Sequence, residues 1–285
     1  VETTIDNTII NNSPVFSNNP VPFVCSDQLY CFNNGAVDPD GDSLAYSLVT
    51  PRTNTGAGDT VTFNAGFTKT SPITSNPALS IDSSTGDICM FPTDSTEIGV
   101  MAILVDEYRN GVKIGSIMRD IQMRIIGCPN GNTTPTVSGI NGTNNYTTKV
   151  CANSNLTFSI FASDPDTSQT ITMTWNGAIA GASFNAVGNP PTGTFSWTPT
   201  LADVRNQPHC FTVEVSDDNC PFNAAQTFSY CITVVGITAI VDSIIDPTCI
   251  GDCNGRAGAE VLNGIQPITY IWNDPLLQNT SVANS

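Results

Sequence analysis

Hydrophobic residues recur along much of this chain with a period of two. Over Ile117–Ile126, the positions Ile117, Arg119, Ile121, Met123 and Ile125 fall on one side, and Met118, Asp120, Gln122 and Arg124 on the other. That alternation predicts a half-buried strand. The same reading predicts strands over Leu44–Val49, Val61–Phe63, Leu79–Ile81, Gly86–Phe91 and Gly99–Val105. Asn110 and Gly111, after Arg109, predict a hairpin turn between the last of these and the 117–126 strand. Further on, strands are predicted over Leu156–Ala162, Ile171–Trp175, Gly193–Trp197, Cys210–Ser216, Gln226–Val235 and Ile237–Ile245. Between Cys249 and Gly264 a turn, a strand and a turn follow, and Gln266–Trp272 is a third strand of that region. The one helix-like stretch is Leu201–Arg205, where Thr200 caps a single turn.

An acidic phrase occurs twice in this frame. Asp38-Pro39-Asp40-Gly41-Asp42 and Asp164-Pro165-Asp166 each follow one predicted strand and precede another. Gly86–Thr93 and Gly193–Thr200 correspond in the same way, both ending in Pro-Thr. Each half then carries an acidic pair after a strand, Asp106-Glu107 and Asp217-Asp218, and ends in a long alternating strand. Modules of roughly 100 residues, with short strands and frequent turns, predict an all-β fold of tandem β-sandwiches. The expected division is a linker over 1–20, sandwiches over 21–127 and 128–235, and a partial third β-module over 236–285. The first 24 residues lack a signal-peptide pattern and no run of 18 apolar residues occurs, so the chain reads as part of something longer without membrane insertion.

Charge narrows the partners. The net charge is −16, from 25 acidic and 9 basic residues. Phosphate backbones and anionic membranes need Lys and Arg, so nucleic acid is an unsuitable partner. Cations are suitable ones. A calcium ion takes six to eight oxygens, and a turn stiffened by Pro39 and sharpened by Gly41 presents several at once. The candidate ligands are Asp38, Asp40 and Asp42, with Asp106 or Glu107 approaching from a neighbouring loop. In the second module they are Asp164, Asp166 and Asp217, with Asp218 behind them. The plainer reading is solvated turn carboxylates that cap backbone N–H groups.

Ten cysteines, at Cys25, Cys31, Cys89, Cys128, Cys151, Cys210, Cys220, Cys231, Cys249 and Cys253, divide 4-4-2 over the modules. Even numbers predict structural disulfides in an oxidising compartment, and no spacing matches a zinc site. Cys25–Cys31 closes a short loop, leaving Cys89 to Cys128 or another partner. Cys210–Cys220 staples a hairpin and Cys249–Cys253 pairs locally or reaches a distant strand. Four cysteines allow three pairings per module, and sequence does not choose. His209 stands between Pro208 and Cys210 with no Ser-His-Asp arrangement around it, and no glycine loop opens a helix to hold phosphate. The expectation is a non-enzyme. Trp175, Trp197 and Trp272 sit in predicted strands as core residues, a sugar-stacking platform being the sharper alternative.

Two stretches carry family resemblances. Cys249–Ala257, then Gly264 and Pro267–Trp272, resembles the repeat of the large gliding-motility adhesins of Bacteroidetes, with Ile268 in place of the usual Tyr. Asn11–Phe16, Asp38-Pro39-Asp40 and Leu79–Ile88 resemble the linker, calcium-binding and central-strand phrases of cadherin-like domains. The second module is similar to Ig-like domains of secreted bacterial proteins. These resemblances imply a secreted, cell-surface adhesin built of cadherin-like and Ig-like sandwiches. Calcium and disulfides would stiffen a structural stalk, whose partners are neighbouring domains of the same chain. The alternative is a module that binds surface glycans or proteins. An extracellular hydrolase would need paired carboxylates in a cleft.

Overall fold

A computed structural model describes the chain except residues 1, 7, 21–22, 54–58, 129–130, 220, 250–253, 264, 266–267 and 285. Strands β1 (Glu2–Ile5), β2 (Val15–Phe16), β3 (Phe23–Cys25), β4 (Tyr30–Phe32), β5 (Ala36–Val37), β6 (Ser43–Val49), β7 (Ser80–Ile81), β8 (Ile88–Met90), β9 (Ile98–Arg109) and β10 (Val112–Ile126) form the first group. β11 (Thr136–Val137), β12 (Thr147–Cys151), β13 (Leu156–Ser163), β14 (Thr172–Trp175), β15 (Ser183–Gly188), β16 (Pro191–Trp197), β17 (His209–Ser216) and β18 (Ala225–Val235) form the second. β19 (Thr238–Ile245), β20 (Arg256–Asn263) and β21 (Val282–Asn284) form a third. The architecture is all-β and mostly antiparallel, as the alternation predicts.

The β9–β10 hairpin organises the first sandwich. Asn110 and Gly111 both have positive φ, 53° and 78°, the turn geometry that matches the twist of paired strands. β10 pairs β9 from Val112↔Arg109 to Arg124↔Ile98, and β6 extends the sheet beyond β9. β1 and, in parallel, β3 pair with β10. A second sheet of order β4-β8-β7 faces this one. Ile117, Ile121, Met123 and Ile125 from β10 and Met101, Ile103 and Val105 from β9 pack with Tyr30, Phe32, Ile88 and Met90 in one core. Arg119 shares the apolar stripe of β10, and its guanidinium lies over the Phe16 ring at 4.4 Å. The stem thus covers apolar surface while the charge stacks on an aromatic face.

The second sandwich pairs sheets of order β11-β13-β16-β15 and β12-β18-β17-β14. Its interior is a column of rings. Phe195 stacks on Phe211 at 4.5 Å between centroids and on Phe158 at 5.0 Å, and Phe211 lies 5.4 Å from Tyr230. Trp175 meets Phe195 and Phe211 edge-on. The strand pattern of alternate buried positions at Pro191, Gly193, Phe195 and Trp197 produces this column.

The chain forms two compact units that interleave in sequence. One contains Val1–Tyr146, Thr157–Ser196 and Cys210–Cys231, and the other Thr147–Leu156, Trp197–His209 and Ile232–Ser285.

Several expectations are corrected. Val61–Phe63 is not a strand; Thr60 alone bridges to Arg52, and the Val61 N–H donates to the Pro51 carbonyl at 2.9 Å. Residues 268–272 are not a strand, because Trp272 closes a loop instead. Its backbone N–H donates to the Gln278 carbonyl at 2.9 Å and its indole to the Thr280 carbonyl at 2.7 Å. β21 supplies the third strand of that sheet. The single turn expected after Thr200 does form, as a 3-10 turn over Leu201–Asp203 that ends two residues short of Arg205, with the Asp203 carboxylate accepting from the Thr200 N–H and hydroxyl.

The disulfides join Cys25 to Cys128, Cys31 to Cys89 and Cys210 to Cys231. Neither the Cys25–Cys31 nor the Cys210–Cys220 pairing forms, and Cys89 is not joined to Cys128. Cys31 stands directly opposite Cys89 in the β4–β8 ladder, with Cα atoms 4.2 Å apart. Cys25, at the end of β3 beside β10, reaches Cys128 over a Cα separation of 5.2 Å. Both separations are bridgeable, whereas sequence proximity is irrelevant once the ladder is set. Among the described residues, Cys151 and Cys249 have no disulfide partner. Cys220 and Cys253 lie outside the described residues, as do Gly264 and Pro267 of the repeat-like stretch.

Phe195→Ala should cost about 3–5 kcal/mol of unfolding free energy, because the ring is fully buried in the column and its removal leaves a cavity. Urea unfolding followed by near-UV circular dichroism measures this; a loss below about 1 kcal/mol would show that the column repacks.

Candidate metal centre

The Asp38–Asp42 turn is wound around its own first carboxylate. Asp38 Oδ1 accepts from the backbone N–H groups of Asp40 at 3.0 Å and Asp42 at 2.8 Å. Gly41 takes φ 81°, which closes the turn without a Cβ clash. Asp38 Oδ2 is buried and accepts no hydrogen bond.

Glu107 faces this turn from β9, a strand rather than the loop expected. Met101, Ile103 and Val105 are buried on one face of β9, and the alternation carries Glu107 onto that same face, 0% exposed. A register shift between Lys113 and Gly115 sets Gly115 opposite Glu107. A Cβ on residue 115 would collide with Glu107 Oε2, so the glycine makes room for the carboxylate. Neither Glu107 oxygen accepts a hydrogen bond. Asp38, Asp42 and Glu107 bring one oxygen each within 4.8 Å of one another. Burial pushes the Glu107 carboxyl up to about 7; the Asp38 and Asp42 charges add to the shift and the nearby Asn11 amide opposes it. Burial also raises Asp38, opposed by the hydrogen bond from the Asp42 backbone N–H, while the Asp42 charge adds to the rise.

Arg109 and the 10–12 segment border the cluster. Arg109 grips Asp42 with two hydrogen bonds, Nε to Oδ1 at 2.8 Å and Nη2 to Oδ2 at 2.5 Å. It also donates to Asn11 Oδ1 at 2.9 Å and the Ile10 carbonyl at 3.0 Å. The Asp42 bonds hold its guanidinium above the ordinary value. Asp40 turns outward and accepts from Asn12, backbone N–H at 2.7 Å and Nδ2 at 2.9 Å. Those bonds, the backbone one first, hold the Asp40 carboxyl below its usual range. Asp106 is not part of the cluster. The strand alternation turns it to the opposite face, where Lys113 Nζ lies 2.6 Å away. Sequence reasoning singled out neither Arg109 nor Gly115 for this site, since both reach it only through the β9–β10 register.

The second acidic turn repeats the layout with different partners. Asp164 Oδ1 accepts from the Asp166 N–H at 2.8 Å, and Asp166 Oδ2 from the Thr133 N–H at 2.7 Å. Asp217, 3% exposed, accepts from Asn132 Nδ2 at 2.7 Å, the Asn219 N–H at 3.1 Å and the Ala224 N–H at 2.9 Å. Asp218 accepts from the Thr170 N–H. Burial raises the Asp164 carboxyl, and the Asp166 and Asp217 charges add to it. Asn132 and Gln169, absent from the sequence reading of this site, provide amide groups beside these carboxylates.

The first cluster suits a hard cation. Three buried carboxylate oxygens without hydrogen bonds, two of them on one glutamate, are unstable neighbours for each other and good ligands for a divalent ion. Elsewhere, His209 is structural: its Nε2 lies 2.8 Å from the Asp203 carbonyl and its ring meets Trp197 edge-on at 5.1 Å.

No family model matches this sequence, and no curated protein matches it. Among solved structures, the chain is similar to the titin domains Z1Z2 in complex with telethonin, at 11% identity over 81% of this chain and 100% of that one, TM-score 0.25. It is similar to Drosophila N-cadherin EC1-3, at 18% identity over 79% of this chain and 68% of that one, TM-score 0.27. The fibronectin(III)-like modules of Clostridium thermocellum CbhA match at 15% identity over 82% of this chain and 94% of theirs, TM-score 0.23. The fold assignment rests on the sheets themselves: disulfide-stabilised β-sandwiches in tandem, the construction of Ig-like, cadherin-like and fibronectin-like modules. No helix among the described residues is long and apolar enough to cross a membrane.

Glu107 generates a pH signature. Its folded value of about 7 exceeds the ordinary 4.5, so between those values the folded protein keeps a proton that the unfolded chain releases. Stability from this group is present below about 4.5 and falls as pH rises through about 7. In EDTA, the stability of wild type relative to Glu107→Gln should fall by roughly 1–3 kcal/mol between acid and mildly alkaline pH. Urea unfolding across that range checks it; parallel profiles for the two proteins would contradict the assignment.

Proposed function

We propose that this chain is a structural segment of an extracellular adhesin whose first sandwich takes a calcium ion at Asp38, Asp42 and Glu107. The observation that carries the reading is Glu107, fully buried with both carboxylate oxygens unpartnered and turned toward Asp38. A buried carboxylate in that state needs a proton or a cation. At neutral pH a divalent ion supplies the charge, and water completes its oxygen shell. Asp42, already gripped by Arg109, is the adaptable ligand of the three.

The wider setting follows from chemistry that supports secretion. Three disulfides among the described residues imply an oxidising compartment. The Cys249–Trp272 stretch resembles the repeats of Bacteroidetes gliding-motility adhesins, which favours a bacterial cell surface and a stalk role, with neighbouring domains as partners. A second reading, a glycan- or protein-binding module, draws on a cavity of about 560 Å³ lined by Trp272, Pro247, Leu276 and Arg256. A glycan-array signal lost on Trp272→Ala would put it ahead.

Calcium at a hundredfold excess over its Kd should raise the unfolding free energy by about 2.7 kcal/mol, and EDTA should reverse the gain. Asp38→Asn and Glu107→Gln should each abolish the response. Thermal unfolding measures both effects, and a Tm indifferent to calcium and EDTA would sink the proposal.

A further inference from the structure

The first sandwich and residues 157–196 and 210–231 of the second belong to one compact unit, and side-chain hydrogen bonds run between them. Asn132, 2% exposed, is at the centre of these bonds. Its Nδ2 donates to Asp217 at 2.7 Å and its Oδ1 accepts from Gln169 Nε2 at 2.5 Å, both in the second sandwich. Its carbonyl accepts from Gln28 Nε2 at 2.5 Å, from the bend between β3 and β4 of the first. Gln28 Oε1 in turn accepts from the Thr134 N–H at 2.7 Å and hydroxyl at 2.9 Å. Gln226 crosses as well, accepting from the Cys31 N–H and donating to the Pro135 carbonyl, each at 3.2 Å. Nearby, Asn33 Nδ2 donates to Ser229 Oγ at 2.8 Å and to Asp87 Oδ1 at 2.9 Å, and Ser229 donates to the same Asp87 oxygen at 2.7 Å.

We propose that residues 131–135 are a cation-independent clasp that holds the two sandwiches as one rigid body, with Asn132 as its positioning residue. The two acidic turns supply the contrast. Asn12 docks on Asp40 as Thr133 docks on Asp166, each by a backbone N–H to Oδ2 at 2.7 Å. At the first turn only the Asn11 amide lies near the facing carboxylate, Glu107, and neither Glu107 oxygen has a hydrogen-bond partner; at the second, Asp217 has three donors, and Asp164 Oδ2 alone is left without one. Neutral amides therefore satisfy Asp217 at the second turn, whereas Glu107 at the first is left to a proton or a cation. Buried polar groups satisfied in this way fix one relative placement, because sliding the sandwiches would strand Gln28, Gln226 and Asn33 without partners.

Backbone amide relaxation by NMR on the full chain in EDTA tests the clasp. Wild type should show one rotational correlation time shared by core amides of both sandwiches. Asn132→Ala and Gln28→Ala should each give two different times, with the core resonances of each sandwich retained. Gln28→Ala removes only bonds that cross the junction, so it decides the matter if Asn132→Ala fails to fold. Separate times in wild type under EDTA would overturn the clasp, and so would their merging on adding calcium. A single time kept by folded variants would overturn it too. The calcium response of Glu107 is measured separately and stands or falls without it.

Discussion

The register of β9 against β10 is the constraint on which the first sandwich depends. The Asn110–Gly111 turn sets it, and the ladder carries it to Arg124↔Ile98. A one-residue slip in a strand exchanges its two faces. Such a slip in β9 would bury Asp106, expose Glu107 and remove Met101, Ile103 and Val105 from the core. The same hairpin positions Gly115 across from Glu107 and sends Arg109 over the acidic turn. The other edge of β10 holds β3, and through it the Cys25–Cys128 disulfide. Core, site and staple thus share one alignment.

Two copies of one turn stand in different electrostatic surroundings. In each, the first aspartate caps the N–H two residues on and the third residue receives the preceding segment. The difference lies in what faces the turn from the later strand end. Glu107 is a long side chain on a core-facing position, brought close to Asp38 and Asp42 with Arg109 engaged on only one side of the cluster. Asp217 is shorter and sits where backbone N–H groups and an amide converge on it. A buried carboxylate is tolerable with enough donors or with an opposing charge. At the first turn Asp38 Oδ2 and both Glu107 oxygens are left without a hydrogen bond; at the second Asp217 is satisfied within the chain and only Asp164 Oδ2 is left without one.

The disulfides act on the same junction from both sides. Cys31–Cys89 joins the strands that precede Asn33 and end the Asp87 segment, and Cys210–Cys231 joins the strands that carry Thr212 and Ser229. Thr212 and Asn18 also bond across, at 2.9 Å. Cross-links of this kind restrict the unfolded chain and hold polar groups in register for their partners.

What the sequence by itself determined is local. Alternation specified β6, β9, β10, β13 and β16–β18, because side chains on a strand reverse with every residue. Asn110-Gly111 announced its turn, and Asp38-Pro39-Asp40-Gly41-Asp42 announced a carboxylate-capped loop, through backbone preferences carried in a few residues. The tertiary structure alone decided what meets across distance: Cys31 with Cys89, Glu107 with Asp38, Arg109 with Asp42, and Asn132 with both Gln28 and Asp217. Short strands such as β4, β5 and β11 carry too few residues to show a period, so their pairing came from the ladders around them. Turn and strand preferences are properties of neighbouring residues. Burial, pairing and the pKa of a carboxylate belong to whatever the completed sheets bring alongside.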